Sequence, residues 1–283
     1  PEAARPVQPA EGQAPLPTLT ELVGRAAAGD ESAVEQLLGE GEDAARAVVM
    51  ALPGPLKSRE RQAMGDPIGE PVFARGPLLS LVPRLGKAAV QPLLERLENP
   101  VTPPEVRYYV ALCFTELPVE AAVRPLGHRL FDSDDAVRMA AVTALRSCPT
   151  GGELRDLLET LRSDLLGPDA RRQQHAAEAL GELRDVQAVP RLVQLLSHDD
   201  MLLGNAAARA LQTITKQDFG RSRFRWRMWW RRHQSEPRLQ WMLCGLSHDS
   251  VAVRASAQDE LRGLCGDVAG YRFDQPRRDR EAA

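Results

Sequence analysis

The sequence predicts an all-α fold, an α-solenoid of stacked antiparallel helix pairs. Apolar residues recur at helical spacing along most of the 283-residue chain, and the alternating pattern of strands is nearly absent. Ala-rich helical segments return about every 33 residues, with Leu-rich helices between them. A two-helix unit of this length cannot bury its apolar face alone, so each unit must cover its neighbour.

The domain organisation follows from changes of composition along the chain. Residues 1–18, rich in proline, predict a disordered tether. Residues 19–75 predict N-terminal helices and a long loop from Pro53 to Pro71, in degenerate repeats. Residues 76–266 predict the regular solenoid, with an added Trp/Arg helix at 222–234, and residues 267–283 predict a C-terminal tail.

The repeat is clearest where an Ala-rich helix returns. "DAVRMAAVTALRS", which starts at Asp135, is answered by "DARRQQHAAEALGEL" from Asp169 and by "DMLLGNAAARALQTI" from Asp200. Small side chains at these positions let neighbouring backbones approach closely, and the Leu-rich helices supply apolar area. The leucines that anchor successive copies are Leu112, Leu145, Leu180 and Leu211.

These residues resemble the HEAT-repeat family, in particular its short bacterial form. The matching pairs and triplets are Val106-Arg107, Val137-Arg138, Ala176-Ala177, Ala188-Val189-Pro190 and Val253-Arg254. The third copy departs from the pattern at Gly204-Asn205, where Val-Arg is expected. The resemblance implies a right-handed superhelix, a partner-binding concave face, and structural ladders between repeats that involve Asp135, Arg138, Asp169 and Arg172.

A second self-match predicts the added helix. The stretch from Leu196 to Arg221 aligns without gaps to the stretch from Leu246 to Tyr271, at an offset of 50 residues instead of about 33. About one helix has therefore been added, and it is "RFRWRMWWRRH", which starts at Arg223. Helical geometry places Trp226, Trp229 and Trp230 on one face, which indicates that these indoles pack against neighbouring helices.

The arginines of this helix form a basic patch. The candidate residues for binding a partner or an anion are Arg221, Arg223, Arg225, Arg227, Arg231 and Arg232. Such a patch could bind the phosphates of a nucleic acid or a phosphopeptide, could bind an acidic protein surface, or could simply be solvated. The charge of the whole chain, −3, implies no general attraction to polyanions.

No motif of a catalytic, cofactor or metal site stands out. His198 and His248 occupy matching "LSHD" positions before helices, where capping is a more economical explanation than a metal pair. The four cysteines form no C-x-x-C pair, which indicates buried free thiols in a reducing, cytoplasmic compartment. We therefore expect no metal, no cofactor and no enzymatic activity.

The function that the sequence favours is a non-catalytic scaffold that binds a protein partner through its concave face. The alternative is a module that binds nucleic acid or phosphate through the basic helix. A third hypothesis is a lyase or DNA glycosylase on the same fold, and it rests on a likeness of composition and architecture alone.

Overall fold

The computed structural model describes residues 17–56, 71–266 and 270–275. These residues form helices and connecting turns without any β-strand, as the all-α prediction required. Most of the predicted tether, loop and tail lies outside the described residues. The chain divides into two compact units, Pro1–Gln62 with Glu70–Arg96, and Ala63–Gly69 with Leu97–Ala283.

The first unit is built from short amphipathic helices. They are α1 (Leu19–Ala27), α2 (Glu31–Gly39), α3 (Glu42–Met50), α4 (Pro77–Leu85) and α5 (Lys87–Glu98), the last of which crosses the boundary. Helix α1 begins where the apolar pattern predicts, because Thr18 and Glu21 form a reciprocal capping box around its first turn. Its buried residues pack against those of α2, α3 and α4.

The second unit contains the regular repeats and the added helix. Its helices are α6 (Pro104–Glu116), α7 (Val123–Arg129), α8 (Asp135–Ser147), α9 (Gly152–Asp164), α10 (Ala170–Glu182), α11 (Val189–Leu195), α12 (Met201–Thr215), α13 (Arg223–His233), α14 (Arg238–Leu246) and α15 (Val251–Cys265). Helix α6 packs on α8 and helix α10 packs on α12, and shorter helices pack beside them. This is the arrangement of an α-solenoid.

An aspartate starts three of the Ala-rich helices. Asp134, Asp169 and Asp200 are the N-caps of α8, α10 and α12, and each carboxylate accepts hydrogen bonds from the second and third backbone N–H groups of its helix. Each cap satisfies two of the donors that a helix start leaves unpaired. The recurrent aspartate of the sequence pattern therefore sets where each repeat begins.

The close contact of α10 with α12 requires a glycine. A Cβ atom at Gly181 would lie 2.8 Å from the Cα of Ala210, far inside van der Waals distance. Only a residue without a side chain allows the two backbones to approach this closely. No helix in the described part of the chain is long and apolar enough to cross a membrane.

Candidate binding surfaces

The structure reproduces the 50-residue self-match of the sequence. Helix α12 and helix α15 start and end at positions that are 50 residues apart. In both copies the loop that follows the helix returns to the turn before it. Arg221 Nε donates to the carbonyl oxygen of Leu196 at 3.0 Å, and the hydroxyl of Tyr271, its equivalent, donates to the carbonyl oxygen of Leu246.

In several helices of the second unit, one side chain near the start donates to the loop before the helix. The fourth residue after the N-cap is Arg138 in α8, Gln173 in α10 and Arg254 in α15, and each donates to a loop carbonyl. Arg107 does the same in α6, where its guanidinium also binds the buried carboxylate of Asp132. These donors satisfy carbonyl groups that the turns leave without partners.

Helix α12 has Gly204 at this position, and the donor to the preceding loop comes from Arg221, which follows the helix. Arg221 Nη2 donates to the carbonyl oxygen of His198 at 3.0 Å, the equivalent of the His248 carbonyl that Arg254 binds. The guanidinium of Arg221 lies directly over Gly204. Arg221 is therefore bound to two carbonyl groups of the turn before α12.

The four residues of the predicted ladder have different kinds of partner. Arg138 pairs with Asp135 within its own helix at 2.5 Å, and Arg172 pairs with Asp164 of the preceding helix at 2.8 Å. Asp169 is a cap and bonds to its own backbone. The cap aspartate binds the N–H groups beside it in preference to a distant arginine, because those donors are already oriented. Arg172 also places its guanidinium 4.0 Å from the ring centre of Phe131, which follows α7.

The aromatic side chains of α13 form a cluster with the fourth tryptophan. Trp226 is fully buried, and its Nε1 donates to the carbonyl oxygen of Gly220 at 2.9 Å. Trp229 and Trp230 are half-buried, with ring centres 5.3 Å and 5.9 Å from that of the buried Trp241 of α14. The role of Trp241 was not predicted, because it stands alone in its helix and carries no repeat signal.

Five arginines of α13 remain exposed to solvent: Arg223, Arg225, Arg227, Arg231 and Arg232. None of them has a carboxylate within ion-pair distance among the described residues. Arg225 lies 4.8 Å from the ring centre of Phe219, and Arg223 reaches Ser197 Oγ at 3.5 Å. The helix therefore presents a row of guanidinium groups with little internal neutralisation.

A second surface consists of grooves whose lining residues were not predicted from the sequence. Two grooves, of about 320 and 410 Å³, lie on the exposed side of the Ala-rich helices of the second unit. The first lies between α8 and α10, and the second continues past α12 to α15. Both grooves are lined by Met139, Glu178, Glu182 and Arg209, so they adjoin. Exposed positions vary freely between repeats, and for this reason the helical pattern gave no signal for the groove.

A buried ion cluster ties α10, α12, α14 and α15 together. The carboxylate of Glu260 lies 3.0 Å from Lys216 Nζ and 3.2 Å from Arg184 Nε, and it also binds both terminal nitrogens of Arg238. Burial raises the pKa of Glu260, but the hydrogen bonds from Arg238 and the charge of Lys216 outweigh it and lower that pKa to about 2. Burial lowers the pKa of Lys216.

Asp185, His198 and His248 take part in structural contacts. Burial raises the pKa of Asp185, whose carboxylate lies 3.0 Å from Arg162 Nε and caps the turn that starts at Val186. Burial lowers the pKa of His175, which lines the first groove. His198 and His248 each accept a backbone N–H two residues ahead. Within the described ranges, no group of His, Cys, Asp or Glu could hold a metal ion.

The middle of the chain matches a known family of helical repeats. The profile of the family described as HEAT repeats matches residues 90–166 and 154–220. Residues 90–220 are HEAT repeats. The HEAT match covers α6 to α12 and stops before α13, the helix that the 50-residue offset marks as added.

Several solved structures that resemble this chain are engineered proteins. One, titled as an engineered protein, target OR329, is 20% identical, with 88% of this chain and 97% of that chain covered and a TM-score of 0.34. A designed armadillo repeat protein in complex with the peptide (KR)4 is 17% identical, covers 69% and 99%, and has a TM-score of 0.34. No curated protein shows significant sequence similarity to the chain.

Proposed function

We propose that the HEAT-repeat region is a non-catalytic scaffold that binds an extended segment of a partner protein. The binding surface is the exposed side of α8, α10 and α12. The observation that carries the proposal is the adjoining pair of grooves with four lining residues in common. A groove that continues across several repeats suits a ligand that is longer than one repeat.

The chemistry of the grooves favours a peptide. Met139 offers a flexible apolar surface, of the kind that adapts to different side chains. Glu178 and Arg209 lie 3.6 Å apart on adjacent helices, and Glu182 has no ion pair with any described residue. Alternating apolar and charged groups match a chain that carries both kinds of side chain, and Glu182 favours a basic residue in the ligand.

Selection with displayed peptides tests this function. The intact chain is used to select from a library of roughly 12-residue peptides, and the selected peptide is titrated by calorimetry. Glu178→Lys combined with Glu182→Lys is expected to weaken its binding at least tenfold. Glu159→Lys is the control, because Glu159 is exposed on α9 and lines neither groove. Equal affinity for both variants, or no selected peptide, would contradict the proposal.

The basic helix α13 offers a second surface for a different ligand. Its five exposed arginines without carboxylate partners in the described structure favour an anionic ligand. A nucleic acid and an acidic protein segment require different surfaces beside the arginines. A single-stranded nucleic acid requires exposed rings for base stacking, whereas an acidic peptide requires room for its intervening side chains.

A further inference from the structure

Helix α13 carries its exposed arginines in two rows. Arg223, Arg227 and Arg231 follow one another at intervals of four residues, and Arg225 and Arg232 form the other row. Like charges four residues apart repel one another and destabilise a helix. Three arginines in a row, without a carboxylate partner among the described residues, therefore lower the stability of α13.

The first row borders a groove between α11 and α13. The groove has a volume of about 330 Å³ and is not connected to the grooves described above by any lining residue. Its basic side is Arg223, Arg227 and Arg231, and its apolar side is Pro190, Val193 and Trp230. A ligand in this groove meets positive charge along one side and apolar surface along the other.

The spacing of the arginines matches an extended peptide. Residues four apart on an α-helix are separated by about 6 Å along its axis. Alternate residues of an extended chain are separated by about 6.6 to 6.8 Å and point to the same side. Acidic side chains at alternate positions can therefore each meet one arginine, while the residues between them point toward Pro190 and Val193.

A nucleic acid fits the same surface less well. Trp226 is fully buried, and Trp229 and Trp230 pack against Trp241, so their faces are partly covered. Phe224 is 74% exposed, but it does not line the groove.

We propose that the α11–α13 groove binds an extended acidic peptide segment of a partner protein, with acidic and apolar residues in alternation. Guanidinium groups bind carboxylates through paired hydrogen bonds, which gives each contact both energy and geometry. The site is distinct from the groove on α8, α10 and α12, and it stands or falls independently of that groove.

Fluorescence anisotropy with a labelled peptide tests the site. The probe is Gly-Ser-Glu-Val-Glu-Val-Glu-Ser-Gly, titrated with the intact chain at about 50 mM salt. Arg227→Gln with Arg231→Gln is expected to weaken binding more than tenfold. Arg225→Gln with Arg232→Gln, on the other row, removes the same charge and is expected to change the affinity less than threefold.

Further probes separate acidic peptides from other anions. The peptide with Gln in place of each Glu is expected not to bind. No binding of the acidic probe, or equal losses for the two arginine pairs, would overturn the proposal. A single-stranded oligonucleotide of about 20 nucleotides that binds more tightly than the peptide and displaces it would also overturn it, in favour of nucleic acid. All four substituted arginines are exposed, so both variants are expected to fold with unchanged thermal midpoints.

Discussion

The guanidinium of Arg221 lies where a side chain on Gly204 would have to be. A Cβ atom at Gly204 would approach Arg221 Nη2 to 2.6 Å. In the other Ala-rich helices of the second unit the donor to the preceding loop is attached at this position, as with Arg254. In α12 it arrives from the loop after the helix. The repeat that departs from its family pattern is thus completed in space by a residue 17 positions further along the chain.

This relationship predicts coupled effects on stability. Arg221→Ala is expected to lower the free energy of unfolding by about 1–3 kcal/mol, because two loop carbonyls lose a charged donor. Gly204→Ala is expected to cost about 1 kcal/mol in the original protein, since the new Cβ displaces the guanidinium from its hydrogen bonds. In the Arg221→Ala background the same change is expected to stabilise by up to about 1 kcal/mol, because alanine favours a helix over glycine.

Urea denaturation of the four proteins in this cycle measures the coupling. Arg232→Ala is the control, because Arg232 is exposed and has no ion pair in the described structure. It is expected to change stability by less than about 0.5 kcal/mol. Strictly additive effects of the Gly204 and Arg221 substitutions would show that the two residues do not share this space.

Trp226 is predicted to be the main attachment of α13 to its neighbours. Trp226→Ala is expected to cost about 3–5 kcal/mol, because it removes a fully buried indole and its hydrogen bond to Gly220. Phe224→Ala, on the exposed side of the same helix, is expected to have an effect close to zero. Thermal unfolding followed by circular dichroism compares the two, and similar losses would mean that α13 is packed on a different face.

Glu260 is predicted to stabilise the C-terminal repeats in a pH-dependent manner. Its pKa is lowered from 4.5 to about 2, so the stabilisation is present above about pH 4.5 and is lost as the pH falls toward 2. This difference in pKa corresponds to a contribution of about 3 kcal/mol to the free energy of unfolding. Glu260→Gln leaves Lys216 and Arg238 without their buried counter-charge, and is expected to cost about 3–5 kcal/mol near pH 7.

Denaturation of the original protein and of Glu260→Gln between pH 7 and about pH 3 tests whether folding lowers the pKa of Glu260. The stability gap between the two is expected to be constant at neutral pH and to narrow below about pH 4.5. A gap that widens with acidification would be inconsistent with a lowered pKa. If the variant does not fold, NMR titration of the Glu260 carboxyl in the original protein gives the same answer, because protonation is expected only near pH 2.

The sequence was sufficient for the elements that repeat. Apolar spacing and the 33-residue recurrence predicted the all-α solenoid. The 50-residue offset predicted an added helix at 222–234, and helix α13 spans Arg223–His233. These features follow from local periodicity and from the need of each repeat to cover the next. The burial of Trp226 agrees with the face that helical geometry assigned to it.

Features that depend on contacts between repeats were harder to predict. The ladder assigned to Asp135, Arg138, Asp169 and Arg172 assumed pairs between repeats. Arg172 does pair with Asp164 of the preceding helix, but Arg138 pairs within its own helix and Asp169 caps one. Arg221 was assigned to the surface patch, although the self-match already paired it with Tyr271 and paired Gly204 with Arg254. Both differences between the two copies are visible in the self-match, but only the structure shows that Arg221 replaces the donor that Gly204 lacks.

NMR of methionine methyl groups tests the proposed scaffold function most directly. Met139 lines both grooves on the Ala-rich helices, whereas Met50 belongs to the first unit and Met242 is buried in α14. The chain is labelled with ¹³C at its methionine methyl groups, and Met139→Leu assigns the Met139 resonance. Addition of the selected peptide is expected to shift the Met139 signal and to leave those of Met50 and Met242 in place. Saturating binding of that peptide with an unmoved Met139 signal would contradict the account.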